Sequence, residues 1–359
     1  MTPSDPIRWG IVATGFIANQ FADDLASLPD AAVTAVCSRS RATATAFAAR
    51  HGIEQVHEDV AELARDPGVD VVYVATPHAA HHAATRALLD AGKAVLCEKP
   101  LTLGLPDAED LVALSHDRGV FLMEAMWMRV NPTISRCREL VADGAIGEVT
   151  HIGADFGVAG PFPAGHRMRA PELGGGALLD LGVYPVALAH HFLGPPQTIT
   201  AWARLLPERT DENTGVILGY GSGAVATLHA GMAGETAQRA VITGTKGRIE
   251  IDHFWNATAC TVVRSDGRSE RLESPLRGHG MVYEAEEVMR CLRAGLIESP
   301  LIPHEVTLAV MATLDAILRQ IGVTYPAAGG QRESEALPSS TARPASSRAI
   351  GTRNGEQET

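Results

Sequence analysis

Cysteine is scarce and scattered. Cys37, Cys97, Cys137, Cys260 and Cys291 are odd in number and at least 31 positions apart, so neither a C-x-x-C metal clip nor a disulfide framework is indicated. Reduced thiols of a cytoplasmic protein are the expectation. Basic clusters are missing as well: 30 Lys and Arg stand against 42 Asp and Glu, a formal charge of −12, which leaves no basic face for a nucleic-acid backbone. No run of 18 apolar residues occurs, and residues 1–6 lack a basic stretch leading into an apolar one, so neither a membrane span nor an export signal is expected. After residue 326 large apolar residues nearly vanish. Residues 327–359 cannot bury enough surface to offset their ordering entropy and are expected to form a disordered tail. No repeat of 20–50 residues is present.

What remains is ordinary globular composition, 45% hydrophobic and 20% charged, over 359 residues, with room for two cores. Apolar runs at 7–13, 33–37, 69–75 and 94–97 alternate with stretches of helical spacing at about 17–28, 42–50 and 83–91. Parallel neighbours need a crossover, usually helical, so this rhythm predicts a doubly wound parallel sheet over residues 1–124. From about residue 125 the pattern changes. Strand-like stretches at 149–158, 198–206, 214–220, 224–229, 238–243 and 248–251, joined by Gly-containing turns, predict an open, mainly antiparallel sheet with a helix over 177–192 on one face. Helices at 282–294 and 306–321 close this second α/β domain, 125–326, and one of them is expected to pack back on the first domain.

Between the first strand and first helix lies Ala13-Thr14-Gly15-Phe16-Ile17, a small-residue corner whose amides would face a pyrophosphate at the positive end of the helix. Ala13 and Ala18 stand where G-x-G-x-x-G has its first and third glycines. An acid is absent where NAD-preferring folds hold the ribose hydroxyls. The chain reads Cys37-Ser38-Arg39-Ser40 there, and Ser38 and Arg39 could bond a 2′-phosphate, which favours NADP(H) over NAD(H). Alternatively, Arg39 stacks on the adenine, which suits either cofactor. Glu98-Lys99-Pro100 puts a lysine just past the end of a buried strand, where open α/β sheets bind ligands.

The motifs Tyr73-Val-Ala-Thr76-Pro77-His78, Glu98-Lys99-Pro100 and Gly174-Gly-Gly-Ala-Leu-Leu-Asp180-Leu-Gly-Val-Tyr184 occur in order. With the dinucleotide corner, they resemble the glucose–fructose oxidoreductase/inositol dehydrogenase/MocA family from about Ile7 to Tyr325. Glu124-Ala-Met-Trp127-Met-Arg129 and Arg167-Met-Arg-Ala-Pro171 resemble the branch of dimeric dihydrodiol dehydrogenases and NADP-linked D-xylose dehydrogenases. Where many inositol-type members have histidine, this chain has Tyr184. The resemblance implies a Rossmann domain, a second α/β domain whose open sheet supports a homodimer or homotetramer, and hydride transfer between a nicotinamide and a CH–OH or C=O group.

Such chemistry needs a group that takes or gives the hydroxyl proton. Tyr184 is the candidate, with Lys99 as the nearby ammonium that lowers its pKa. Asp180, four residues before Tyr184, shares its helical face and either orients substrate or caps or braces the helix. His78 and His81 either line the nicotinamide pocket or brace the loop after Thr76-Pro77, and Glu98 belongs to the same cofactor-facing edge. The trio His78, His81 and His82 lacks a carboxylate or cysteine nearby to complete a ligand set, so no metal is expected. Trp127, Arg129 and Arg167 are candidates for the substrate pocket, against a role in interdomain packing. A sugar, sugar derivative or cyclic diol is the leading substrate class. A nucleotide-linked deoxysugar or 1,5-anhydrofructose is the alternative for an enzyme, and a non-catalytic NADP-binding regulator the alternative outside enzymes.

Overall fold

The computed structural model of the protein describes residues 5–326, so the expected tail at 327–359 lies outside the described residues. In the first part β1 (Ile7–Val12), β2 (Ala31–Cys37), β3 (Gln55–His57), β4 (Val71–Val74), β5 (Ala94–Glu98) and β6 (Leu122–Ala125) are all parallel, in the order β3-β2-β1-β4-β5-β6. The crossovers carry α1 (Phe16–Leu25), α2 (Arg41–His51), α3 (Val60–Arg65), α4 (His81–Asp90) and α5 (Leu105–Arg118). β4 reads Val-Val-Tyr-Val and is buried throughout, as a strand covered on both faces must be. The strand order reverses between β1 and β4. The carboxyl ends of those two strands therefore flank the crevice where a doubly wound sheet binds its ligand.

α6 (Pro132–Ala142) leads to an eight-stranded sheet. Its strands are β7 (Val149–Gly157), β8 (Thr198–Leu205), β9 (Asp211–Gly219), β10 (Val225–Gly231), β11 (Arg239–Gly244), β12 (Gly247–Asp252), β13 (Ala259–Arg264) and β14 (Ser269–Glu273). The order is β14-β13-β12-β11-β7-β10-β9-β8, antiparallel except for the parallel pair of β7 and β10. α7 (Val183–Leu193) covers one face. On the other, alternation along β8 leaves Trp202 74% exposed.

The helix expected over 177–192 is split: residues 178–182 form one wide π turn, and α7 follows it. By length and composition the stretch Pro171–Leu193 could cross a membrane, but 89% of its apolar window is buried within the protein. α8 (Val282–Arg293) returns to the first sheet, where Asp24 of α1 accepts the amides of His279, Met281 and Val282 at 2.7, 2.8 and 3.2 Å. These bonds satisfy helix-start donors that would otherwise be buried unpaired. α9 (His304–Ile321) packs on α5, α7 and β8.

Candidate active site

β5 delivers Lys99 to the crevice, and the Lys99–Pro100 peptide is cis. Opposite it, three glycines let the chain come close. A Cβ on Gly174 would stand 2.7 Å from the Cβ of His78, and one on Gly176, at φ 127°, would strike Asp211. Asp211 caps this helix start through the Leu178 amide, 2.7 Å away. Capping is thus done elsewhere, and Asp180 points its carboxylate into the crevice. Arg167 Nη1 lies 3.0 Å from Asp180 Oδ1, with His78 Nε2 and Lys99 Nζ each at 3.5 Å. Lys99 Nζ also donates to the Asp180 backbone carbonyl at 2.7 Å, within the π turn that interrupts the regular helix ladder.

Burial alone would push the Asp180 carboxyl up, but the Lys99 charge, the hydrogen bond with His78 and the Arg167 charge outweigh it and hold the group well below the usual carboxylate range. Lys99 is depressed by burial, yet Tyr184, Asp180 and Glu98 raise it above the ordinary lysine value, so it stays an ammonium. Its Nζ stands 4.8 Å from the centroid of the Tyr184 ring. The expected lowering of Tyr184 is overturned. Burial pushes the phenol up to about 12, and the opposing pull of Lys99 is too weak to reverse this. Trp127 Nε1 donates to the Tyr184 hydroxyl oxygen at 2.8 Å, which leaves the phenolic hydrogen available to donate onward.

The aromatic wall of this crevice extends past what the motifs name. Phe156, on the inward face of β7, has its ring centroid 5.5 Å from that of Tyr184 and stacks on Trp255 at 5.1 Å and 11°. Trp255 in turn lies 6.0 Å from Trp127 and donates to Gln238. Strand alternation gives a weak signal for Phe156. Trp255, in the short connection after β12, has none.

Three residues lie apart from this cluster. His81 is wholly buried with its ring nitrogens 2.9 Å from the carbonyls of Pro100 and Thr76, so it braces two loops against each other and offers no free ring nitrogen to the crevice. Arg129 is turned inward: Nε reaches the Leu301 carbonyl at 3.4 Å, and burial lowers its guanidinium to about 10. His82 bonds Asp110.

At the β1 corner Ala13 adopts φ 86° and donates its amide to the Cys37 carbonyl. Gly15 caps α1 without a side chain, and a Cβ there would meet open space, so the first-turn amides face an uncluttered cradle. The Thr14 carbonyl is tied to Asn19, Phe16 is 79% exposed, and Ile17 is half-buried. Ser38 Oγ is 3.1 Å from Thr43 Oγ1, and beside it the exposed Arg39 makes no hydrogen bond or ion pair within the described residues. Across the crevice, next to Pro77, Thr76 Oγ1 is buried with no partner among the described residues. Glu98 accepts the Tyr73 hydroxyl and the Lys99 amide. An amide cradle and an unpaired arginine on one side of the crevice, with an orphaned hydroxyl on the other, fit a phosphorylated dinucleotide.

Residues 7–126 match the model of the oxidoreductase family with an NAD-binding Rossmann fold, and residues 134–250 match the GFO/IDH/MocA C-terminal domain. The chain belongs to the GFO/IDH/MocA oxidoreductase family. Among relatives within it, the trans-1,2-dihydrobenzene-1,2-diol dehydrogenase of Mus musculus is 37% identical over 336 residues, covering 89% of this chain and 98% of the relative. The D-xylose 1-dehydrogenase (NADP(+)) of Hypocrea jecorina is 36% identical over 364 residues, covering 89% and 93%. Among solved structures, a 3-ketoreductase from Actinomadura kijaniata in complex with NADP and TDP-benzene is similar with TM-score 0.80 and 30% identity, over 88% of this chain and 98% of that one.

Proposed function

We propose that the chain is an NADP-dependent dehydrogenase or reductase acting on a CH–OH or C=O group of a sugar, sugar derivative or cyclic diol, with Lys99 and Tyr184 handling the proton. One observation carries this reading: Lys99, Asp180 and Tyr184 meet in one buried cluster, with the Trp127 indole on the phenolic oxygen. We take residues up to 124 as the cofactor domain and 125–326 as the substrate domain.

NADP(H) would be held by the amides after Ala13, by Ser38 and Arg39 at the 2′-phosphate, and by Thr76 and Glu98 nearer the reacting end. When bound, it supplies or accepts the hydride. Tyr184 holds a proton at neutral pH and donates it to a carbonyl oxygen that gains negative charge. The Lys99 ammonium stabilises both that oxygen and the phenolate left behind. Asp180 positions Lys99, Arg167 and His78 through one carboxylate. In the oxidising direction the phenol must first give up its proton, at a cost set by its raised pKa. Trp127 and Trp255, the latter backed by the stacked Phe156, present apolar surface, and Arg167 a hydrogen-bond donor, to a ring bearing hydroxyls.

Reduction of a keto group on a nucleotide-linked sugar is a second reading. It is supported by the protonated state of Tyr184 and by the likeness to the TDP-benzene-bound 3-ketoreductase. A regulator that only binds NADP has no use for the buried proton-handling cluster. Five free, buried cysteines support a cytoplasmic setting, and the uncovered face of the second sheet supports a homodimer or homotetramer.

The test is absorbance at the reduced-nicotinamide band with NADP and then NAD, against aldoses, inositols, cyclic diols and their carbonyl counterparts, nucleotide-linked ketosugars included. Turnover with NADP on a sugar or diol is the expected result. Turnover confined to the nucleotide-linked panel selects the second reading, and tight NADPH binding with no turnover on any panel removes both.

A further inference from the structure

His116 near the end of α5, Glu298 in the segment after α8, and His304 opening α9 each offer one donor atom to a group whose members all lie within 4.8 Å of one another. His304 Nδ1 stands 3.2 Å from His116 Nε2 and 3.7 Å from Glu298 Oε2. Donors at zinc bond lengths of about 2.0–2.1 Å in a tetrahedron are roughly 3.3 Å apart. These separations therefore suit a shared cation with little movement.

The orientation is also fixed. His304 Nε2 lies 2.8 Å from the Leu122 carbonyl, so that nitrogen carries the hydrogen and the Nδ1 lone pair faces the cluster. A backbone carbonyl behind a ligating imidazole is the usual outer support of a metal-bound histidine. Glu298 Oε2 is held in place by the His304 amide at 2.7 Å. His304 is only 5% exposed, whereas His116 lies open to solvent, so one side of the group is closed and the other admits water.

We propose that His116, Glu298 and His304 form a divalent transition-metal site, best suited to zinc, with water as the fourth donor. Two imidazoles and a carboxylate with one open position are a common zinc donor set. The site shares no residue with the Lys99 cluster. Its place in the fold makes it a brace: one turn along α9, Thr307 Oγ1 donates to Glu124, whose other oxygen accepts the Leu101 amide beside Pro100. The competing explanation is a simple His116–His304 hydrogen bond, which has no need of a cation.

Full-length protein, stripped with a chelator and titrated with zinc chloride in a calorimeter, is expected to bind about one equivalent. Loss of an outer-shell partner typically weakens a metal about 10–100-fold, so loss of a ligand in His116→Ala or Glu298→Gln should weaken it at least ~100-fold. Both positions lie outside the core, and far-ultraviolet circular dichroism checks the fold. Cobalt(II) is expected to give the visible bands of a tetrahedral ion in the parent protein and to lose them in His116→Ala. Absence of saturable zinc binding in the parent, or equal affinity in parent and variants, overturns the proposal.

Discussion

Tyr184 keeps its proton through neutral pH because burial outweighs the Lys99 charge, and this sets the pH dependence of the proposed chemistry. A phenol near 12 is almost fully protonated at neutral pH, so the rate of carbonyl reduction should change little from about pH 6 to 8. Oxidation needs the phenolate, so its kcat should climb by up to about tenfold per unit toward pH 10 without levelling. A plateau of the oxidative rate near pH 7 to 8 would contradict this. Arg39 belongs to the same scale. Charge-assisted hydrogen bonds lost from a 2′-phosphate correspond to roughly 10- to 100-fold in affinity, so Arg39→Ala should raise the KM for NADP by that factor and leave NAD nearly unchanged. Equal losses with both cofactors would show that Arg39 stacks on adenine. The sequence carried Lys99, Asp180 and Tyr184 because ordered motifs name them. Phe156 and Trp255 escaped because a pocket wall assembled from separate strands and turns leaves at most the weak alternation of β7 to read. For His81 and Arg129 the sequence left two roles open, because a polar residue beside a motif says nothing of which way its side chain turns; the bracing role of His81 and the packing role of Arg129 are the ones their contacts favour.

Among the elements, α8 carries the strongest internal conflict. Glu284 is wholly buried, neither carboxylate oxygen has a partner among the described residues, and burial, with the nearby charges of Glu98 and Asp24, pushes it well above the carboxylate range. The folded protein thus keeps a proton there that the unfolded chain releases above about pH 4.3. The native state binds more protons, so stability falls with rising pH by up to about 1.4 kcal/mol per unit between the unfolded-state and folded-state values. Thermal melts of Glu284→Gln should fall less than those of the parent between about pH 5 and 8, and parallel curves would refute the assignment. Elements with strong periodicity, such as β1, β4, α4 and α7, were legible in the sequence. β3 and α3 were not, being only three and six residues long. α5 and α6 carry Pro106 and Pro132 in their first turn, where a helix tolerates proline. The charged edge strand β14 offers the core only Leu272.

At the scale of the whole molecule, the second sheet has one face that no other described element covers. Trp202 on β8, Ile217 on β9 and Val225 on β10 are 74%, 52% and 37% exposed on adjoining strands. A face of this kind marks an interaction surface, so Trp202→Glu is expected to lower the mass seen in sedimentation toward that of one chain, and an unchanged mass would contradict the oligomer proposed on this face. Both sheets were foreseeable because a change of rhythm near residue 125 runs through many residues at once. Their joint product, the cluster around Asp180, depends on loops that the rhythm does not describe. The proposed chemistry rests on that cluster handling the proton, and its most direct test is kcat for Lys99→Met and Tyr184→Phe at saturating NADPH and carbonyl substrate, with cofactor binding followed by fluorescence. Each variant is expected to bind NADPH as the parent does and to lose at least about a hundredfold in kcat. Turnover near the parent rate in both would contradict it.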